Sequence, residues 1–225
     1  MKVLVIDVGG TNIKVTASGV SEVRKFPSGP TLTAKQMVDG VLGLVGDWKY
    51  EVISIGYPGP VIHGRLALEP ANLGPGWVDF DFAAHFGKPV KLINDAAMQA
   101  LGSYEGARML FLGLGTGLGS ALIVDGVVAP LELAHLPYKK RRTFEDYVGL
   151  RGLKRLGKKK WQKAVEDVVA RLQAALVADY VVLGGGNAKL LKRLPPGARM
   201  GDNRNAFLGG MRLWDEQDKP SKSKG

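Results

Sequence analysis

The sequence predicts an α/β protein that contains the same arrangement of strands and helices twice. With 225 residues and 45% hydrophobic content, the chain can bury a full core. A short apolar strand runs into the glycine turn Gly9-Gly10, and another runs into a longer glycine turn at residues 113–119. Each turn is followed by a second strand and then by helices and further strands, which is typical of a duplicated α/β fold.

The first half opens with three predicted strands, at residues 3–8, 13–17 and 22–26. Apolar residues at helical spacing predict a helix over 31–48 with Thr33 as its N-cap, although three glycines weaken it. A strand at 52–55 then ends at the turn Gly56-Tyr57-Pro58-Gly59-Pro60. A strand at 89–93 leads directly into Asn94-Asp95 and a helix at 96–105.

The second half has predicted strands at 109–114 and 120–124 around the second glycine turn. Further predicted elements are helices near 143–156 and 160–177, a strand at 180–183, a helix at 188–194, a short strand near Arg199 and a helix at 205–214. We expect a first domain over residues 1–105 and a second over 106–204. The helix at 205–214 is expected to pack back on the first domain, and residues 215–225 to form a disordered tail.

Composition restricts metal sites and location. The absence of cysteine excludes disulfides and thiolate metal sites, and the three histidines are too far apart for local ligand spacing. A hard, oxygen-bound ion such as Mg²⁺ is therefore the expected metal. No apolar run is long enough for a membrane helix, and the N-terminus carries charge too early for a signal peptide, so we expect a cytoplasmic protein without membrane contact.

Most of the positive charge lies in one stretch, residues 139–163, which we call the basic segment. It holds eleven basic and two acidic residues and so accounts for +9 of the net +10 of the chain. Such a local field attracts polyanions, whether nucleic acid, a membrane surface or a polyphosphate. The alternative is a solvated basic face.

The two glycine turns are candidate phosphate sites. In the first, glycines let backbone N–H groups approach phosphate oxygens, and Asp7 at the strand end can hold Mg²⁺ through water. Either turn taken alone also fits an ordinary tight turn. Neither opens a long helix or is followed by Gly-Lys-Ser/Thr, which excludes dinucleotide-binding and P-loop motifs. Two hairpins with Thr11 and Thr116 at their tips, facing each other, could instead clamp one phosphate chain.

Phosphoryl transfer to an alcohol also needs a base, and Asp95 is the best candidate. It stands where a buried strand meets a helix N-terminus, which can aim a carboxylate into a cleft. The alternative is that Asp95 only caps its helix. Polar residues near glycines and strand ends are candidates for holding sugar hydroxyls, namely Asn72, Asn94, Glu132, His135 and Glu145.

Together these motifs resemble the ROK family (repressors, open reading frames and kinases), and most of all its glucokinase and polyphosphate glucokinase branch. The resemblance runs from Val5 to about Trp214. The segments that carry it are, in order, Asp7-Val8-Gly9-Gly10-Thr11, Pro70-Ala71-Asn72-Leu73 with Trp77, Asn94-Asp95, Gly115-Thr116-Gly117-Leu118-Gly119, Glu132-Leu133-Ala134-His135 and Gly184-Gly185-Gly186.

The resemblance implies a duplicated RNase H-like fold of the actin-like ATPase (ASKHA) type, with two domains around a cleft. It further implies transfer of a phosphoryl group to the 6-hydroxyl of glucose, with Mg²⁺ and with ATP or polyphosphate as donor, by a homodimer. Asp95 is then the catalytic residue, and Asp7 holds the metal. The donor would be bound by Asp7, Gly9, Gly10, Thr11, Lys14, Gly115, Thr116, Gly117, Gly184, Gly185 and Gly186. The sugar would be bound by Asn72, Asn94, Asp95, Glu132, His135 and Glu145.

Two departures from the family pattern bear on the substrate. Ala134 replaces the glycine of the Glu-x-Gly-His motif, and the cysteine cluster that binds structural zinc in many members is missing. Polyphosphate glucokinases also lack that zinc site, which favours their branch. The first phosphate motif begins at Asp7, with no helix-turn-helix before it, so a repressor is not expected.

Two alternatives stay open at the level of sequence. One is a non-catalytic sugar sensor or nucleic-acid-binding protein that uses the basic segment, although the chain has no recognisable nucleic-acid motif and nucleic acid is not the expected partner. The other is a kinase for fructose, mannose or an N-acetylated hexosamine, because pocket geometry decides the acceptor.

Overall fold

The computed structural model describes residues 1–202 and 204–215; most of the predicted tail, residues 216–225, lies outside the described residues. The strands are β1 (Val3–Val8), β2 (Asn12–Ala17), β3 (Arg24–Pro27), β4 (Val52–Tyr57), β5 (Val61–Ile62), β6 (Arg65–Leu66), β7 (Val90–Asn94), β8 (Arg108–Leu114), β9 (Leu118–Val124), β10 (Val127–Leu131), β11 (Tyr180–Gly184) and β12 (Ala198–Met200). The α-helices are α1 (Ala34–Leu44), α2 (Phe82–Phe86), α3 (Asp95–Ser103), α4 (Phe144–Val148), α5 (Leu150–Ala175) and α6 (Asn205–Arg212).

Two five-stranded sheets have the same topology. The first has the order β3-β2-β1-β4-β7, and the second has the order β10-β9-β8-β11-β12. In each sheet the first strand in the chain pairs antiparallel with the next and parallel with a later strand, as β1 does with β2 and β4 and as β8 does with β9 and β11. The duplicated α/β pattern predicted from the sequence is therefore confirmed.

The central strands are buried because they are apolar over most of their length. In β1, Leu4, Val5 and Ile6 have no exposed surface, and in β8 the side chains Met109 and Leu110 are equally buried. A continuous apolar run of this kind suits a strand covered on both faces. Both glycine turns leave such strands, so their positions are set by the two cores.

Helix α3 lies between the two sheets. Its residue Met98 packs so closely on Gly56 of β4 that a Cβ there would lie 2.2 Å from the Met98 methyl carbon. On the other side, a Cβ on Gly119 of β9 would lie 2.8 Å from the Ala96 side chain. These glycines allow one helix, which begins at Asp95, to touch both halves of the molecule.

Helix α6 brings the end of the described chain back onto α3 and the first sheet. A Cβ on Gly209 would lie 1.8 Å from the Met98 carbonyl oxygen, so the two helices cross at backbone contact. The buried Ser54 hydroxyl of β4 donates to the Gly210 carbonyl at 2.6 Å and accepts from the Trp214 indole N–H at 2.9 Å.

The helices of the first half follow the sequence closely. Thr33 caps α1 as predicted, in a capping box with Gln36. The small β5–β6 hairpin and the short helix α2 were not predicted, because each is too short to give a periodic pattern. The strand β10 was also not predicted, and it contains Pro130, a residue that argues against a strand.

The predicted helices of the second half were partly wrong. The segment predicted as a helix at 188–194 forms only a 3₁₀ turn at Ala188–Leu190, because it lacks a capping side chain and runs into Pro195-Pro196, where helical geometry is disfavoured. Helix α4 ends at Val148, and α5 starts at Leu150 and is interrupted at Gly157, which has φ +70°. Among the described helices none combines the length and the apolarity that crossing a membrane requires.

Candidate active site

A cleft of about 530 Å³ lies between the two glycine turns. It gathers most of the residues that the sequence analysis singled out, from both halves of the chain. These are Gly9, Gly10, Thr11, Asn72, Asn94, Asp95, Gly115, Thr116, Gly117, Glu132, His135, Glu145 and Gly185.

The first glycine turn joins β1 to β2 and leaves two amides free to bind an anion. Gly9 N–H donates to the Asn12 carbonyl at 3.1 Å, and the Gly9 carbonyl accepts from the Ser28 hydroxyl at 2.6 Å, which holds the turn closed. In the described part of the chain, no atom accepts a hydrogen bond from the amides of Gly10 and Thr11. Such amides at the edge of a cleft suit phosphate oxygens.

The second glycine turn joins β8 to β9 and has the same character. Gly115 N–H donates to the Gly117 carbonyl at 3.2 Å, whereas the amides of Thr116 and Gly117 find no acceptor among the described residues. The start of α5 supports the turn from behind, since Leu150 N–H lies 3.1 Å from the Gly115 carbonyl. The two hairpins predicted from the sequence therefore line one cleft with similar sets of amides.

Asp95 is not the cap of its helix. The N-cap of α3 is Asn94, whose side-chain oxygen accepts from Ala97 N–H at 3.1 Å and whose amide nitrogen donates to the Gly59 carbonyl at 3.1 Å. One Asp95 oxygen accepts from Ala96 N–H at 2.7 Å. Because Asn94 does the capping, the Asp95 carboxyl is available to a substrate in the cleft.

The surroundings of Asp95 make it a base of near-neutral strength. Loss of hydration, followed by the nearby charges of Asp7 and Glu132, raises its pKa from 3.8 to about 7. A general base works best when its pKa lies near the working pH, because it is then both deprotonated and basic enough to take a proton. A perturbed carboxyl in a cleft is a mark of a functional site.

The candidate sugar residues lie around Asp95 and the first turn. Asn72 lies beside Gly10, since a Cβ on that glycine would be 3.4 Å from the Asn72 Cβ. Glu132 and His135 are exposed at either end of a 3₁₀ turn, Leu133–His135. Ala134 within that turn is buried and has no positive φ, so the position does not require the glycine that the family motif has.

Glu145 lies against the second glycine turn. Its carboxylate accepts from Leu118 N–H at 3.3 Å and forms an ion pair with Arg151 at 3.1 Å. A Cβ on Gly117 would lie 2.2 Å from a Glu145 oxygen, so a larger residue there would displace the Glu145 carboxylate. The residue predicted to hold sugar thus contacts the candidate donor turn as well as the cleft.

Four predicted donor residues do not line the cleft. Asp7 lies behind the first turn, where its carboxylate pairs with the Lys14 ammonium at 3.3 Å, although its charge still reaches Asp95. Gly184 is buried at the end of β11 against the Phe111 ring, and Gly186 is exposed beside the cleft. Only Gly185 of this loop reaches the cleft surface.

Gln99 and Glu69 are among the cleft residues that the sequence analysis missed. Gln99 lines the cleft one helical turn after Asp95, and the i, i+4 spacing on α3 was the signal that could have found it. Glu69 also lines the cleft and accepts from the backbone N–H groups of Trp77 and Val78 at 3.1 and 3.2 Å. These hydrogen bonds close the loop that carries Asn72. No local sequence pattern predicts this role of Glu69.

Comparison with known proteins shows which family has this sequence pattern. The sequence model of the ROK family matches residues 3–129, more than half of the chain. A polyphosphate glucokinase of Mycobacterium tuberculosis (strain CDC 1551 / Oshkosh) is 27% identical over 220 residues, covering 85% of this chain and 80% of that protein.

Solved structures show the same fold. The inorganic polyphosphate/ATP-glucomannokinase of Arthrobacter sp. strain KM superposes with a TM-score of 0.78 at 24% identity, covering 93% of this chain and 96% of that one. A ROK family glucokinase of Streptomyces griseus, solved with glucose and AMPPNP, gives 0.74 at 17% identity, covering 95% and 99%. The duplicated actin-like fold expected from the sequence is confirmed, and the chain belongs to the ROK family.

Proposed function

We propose that this chain is a sugar kinase of the glucokinase type, which transfers a phosphoryl group from polyphosphate or ATP to the 6-hydroxyl of glucose. One observation carries the proposal: a carboxyl with a pKa near 7, Asp95, lies in the same cleft as two hairpin turns with free amides. Membership of the ROK family and the names of the similar proteins support the same reaction.

The transfer requires one bond to form and one to break. The glucose O6 attacks the terminal phosphorus of the donor, while the bond from that phosphorus to its bridging oxygen breaks. The O6 proton goes to Asp95, and the leaving group is ADP or a polyphosphate shorter by one phosphate. Asp95 thus serves as general base and returns its proton to solvent after the product leaves.

The two turns hold the donor from opposite sides. The free amides of Gly10, Thr11, Thr116 and Gly117 are placed to bind phosphate oxygens, and they do so without moving because the turns are fixed by their own hydrogen bonds. Gly185 completes the proposed donor site, whereas Lys14, Gly184 and Gly186 do not line the cleft. Asn72, Asn94, Glu132, His135 and Glu145 orient the hexose.

A magnesium ion fits this site as a partner of the donor phosphates. Within the described residues, no cluster of three or more acidic or histidine side chains could hold a metal alone. The carboxylates of Asp7 and Asp95 are close enough for the charge of one to raise the pKa of the other, which suits an ion bound by few protein oxygens and several waters. Mg²⁺, when bound, would neutralise charge on the transferred phosphate, and Asp7 is the residue proposed to hold it through water.

Further parts of the proposal concern organisation. From the family resemblance we propose a homodimer in the cytoplasm, with domains at residues 1–105 and 106–204. Helix α6, which contacts α3 and β4, is assigned to the first domain. Light scattering of the purified protein tests the dimer.

A coupled assay for glucose 6-phosphate tests the reaction. Purified protein, glucose and Mg²⁺ are incubated with ATP in one series and with long-chain polyphosphate in another. We expect product from at least one donor, and turnover at least about 100-fold slower in an Asp95→Asn variant that still binds glucose. Absence of product with both donors, or unchanged turnover in the variant, would contradict the proposal. Fructose, mannose and N-acetylmannosamine test the acceptor when the readout is consumption of the phosphoryl donor, which does not depend on the sugar.

A further inference from the structure

The largest feature that the proposed reaction leaves unused is the basic segment, residues 139–163. In the structure it forms a hairpin at 137–143, helix α4 and the first part of α5. Of its eleven cations, Arg151 and Lys139 have a carboxylate within 4 Å among residues 1–202 and 204–215, and the others have none there. The exposed members include Lys140, Arg141 and residues 158–160.

The helical part of the basic segment starts beside the cleft. Leu150, the first residue of α5, hydrogen bonds to the second glycine turn, and its neighbour Arg151 pairs with Glu145, which lines the cleft. Arg151 is nevertheless highly exposed, with 76% of its side-chain surface accessible. A cation in this position can release Glu145 and pair instead with an anionic group of a ligand that extends out of the cleft.

From Arg151 the charge continues over an aromatic cluster to the hairpin. The Arg155 guanidinium lies 4.8 Å from the centre of the Tyr147 ring, which packs edge-on against Tyr138 at 4.9 Å. The Lys139 ammonium lies 4.7 Å from the Tyr138 ring and forms an ion pair with Asp167 at 2.9 Å. These contacts fix the hairpin to α5, so that the cations of both elements form one surface.

The hairpin tip has an unfavourable sequence for its conformation. Lys140 and Arg141 have φ of +50° and +57°, and Arg142 N–H donates to the Lys139 carbonyl at 3.0 Å, which is the pattern of a type I′ turn. Such turns favour Asn-Gly because both central residues are left-handed. Two long cationic side chains at these positions cost conformational energy, and strain of this kind is a mark of function.

We propose that this surface, from Arg151 to the tip of the hairpin, binds the part of a polyphosphate chain that extends out of the cleft beyond the transferred phosphate. The inference rests on the proposed function, whose donor turn supplies the inner end of the chain. A flexible polyanion with charge along its whole length matches a row of exposed cations that starts at a phosphate site. ATP, whose charge ends within the cleft, has no need of this surface.

The decisive variant is the double substitution Lys140→Asn and Arg141→Gly. It removes two charges and supplies the residues that a type I′ turn prefers, so folding is not impaired. A second variant, Arg155→Gln, removes the cation that lies over the Tyr147 ring between Arg151 and the hairpin. The matched control is Lys2→Gln with Lys49→Gln, two exposed lysines beside a groove at the end of β1 remote from Asp7.

Binding is measured by the fluorescence anisotropy of long-chain polyphosphate labelled at one end, and activity by the coupled assay with ATP, tripolyphosphate and long-chain polyphosphate. In both test variants we expect long-chain affinity to fall at least about threefold, given the usual energies of exposed ion pairs, while KM for ATP and for tripolyphosphate changes less than about twofold. The affinity should also decrease with salt, and less steeply in the variants.

Three results would overturn the inference: equal losses for all donors, no loss of long-chain affinity, or single-stranded nucleic acid that binds this surface and is not displaced by polyphosphate. The anisotropy readout separates this inference from the proposed function. Polyphosphate binding that depends on the hairpin in a protein without kinase activity refutes the reaction alone, whereas kinase activity with polyphosphate that ignores both variants refutes the surface alone.

Discussion

The substitution Asp95→Asn tests two effects of the Asp95 carboxyl, its contribution to turnover and its effect on protein stability. Asparagine keeps the oxygen that accepts from Ala96 N–H and has nearly the same volume, so the local structure should be retained. What it removes is a carboxyl whose pKa is raised from 3.8 to about 7, mainly by loss of hydration. Turnover should fall by about 10²- to 10⁴-fold, the usual contribution of a general base.

The same change should make the protein more stable at neutral pH. Because the folded pKa is the higher one, the folded state keeps a proton between about pH 4 and 7 that the unfolded state has released. The wild-type protein therefore loses stability as pH rises through this window, whereas the variant does not. A rise of about three pKa units limits the stability gained by the variant to about 4 kcal/mol. We expect a gain on the order of 2 kcal/mol, because water reaches the cleft.

Thermal unfolding of both proteins at several pH values, without Mg²⁺ or sugar, measures this difference. A gain of about 2 kcal/mol should raise the Tm of the variant by about 4–8 °C at pH 8, with little difference near pH 4. A Tm difference that stays constant with pH, or a variant that is less stable at pH 8, would refute the reasoning that Asp95 is held at a raised pKa.

Four further variants test the packing and the capping of the helices. Gly209→Ala places a methyl group 1.8 Å from the Met98 carbonyl oxygen, so urea unfolding should show a loss of about 3 kcal/mol, and kcat should fall because α3 carries Asp95. Gly43→Ala, an exposed helical site with no atom within 4 Å, should instead stabilise by about 0.4–1 kcal/mol in the same measurement. Asn94→Ala removes the cap of α3 and the hydrogen bond to Gly59, so the free energy of unfolding should fall by about 1 kcal/mol and the glucose KM should rise. Asn94→Asp should keep the stability of the cap at neutral pH but still raise the glucose KM.

Much of the fold could be predicted because its signals are local. The apolar strands β1, β4, β8 and β11 and the two glycine turns stand out as short patterns, and Thr33 was recognised as an N-cap from its own neighbourhood. The prediction of a helix at 188–194 was wrong. The apolar residues of this segment fit a helix, but the following prolines and the packing of the loop decide against one.

The candidate site could be predicted only as a set of residue types. The sequence by itself determined that two glycine turns, an Asn-Asp pair and several polar residues exist, and that the positive charge is concentrated in one segment. Only the tertiary structure decided that Asn94 caps α3 and leaves Asp95 free, that Glu145 reaches the second turn, and that Gln99 belongs to the cleft. The physical reason is that loss of hydration, neighbouring charge and hydrogen-bond partners depend on groups far apart in the chain, which meet only when both sheets pack against α3.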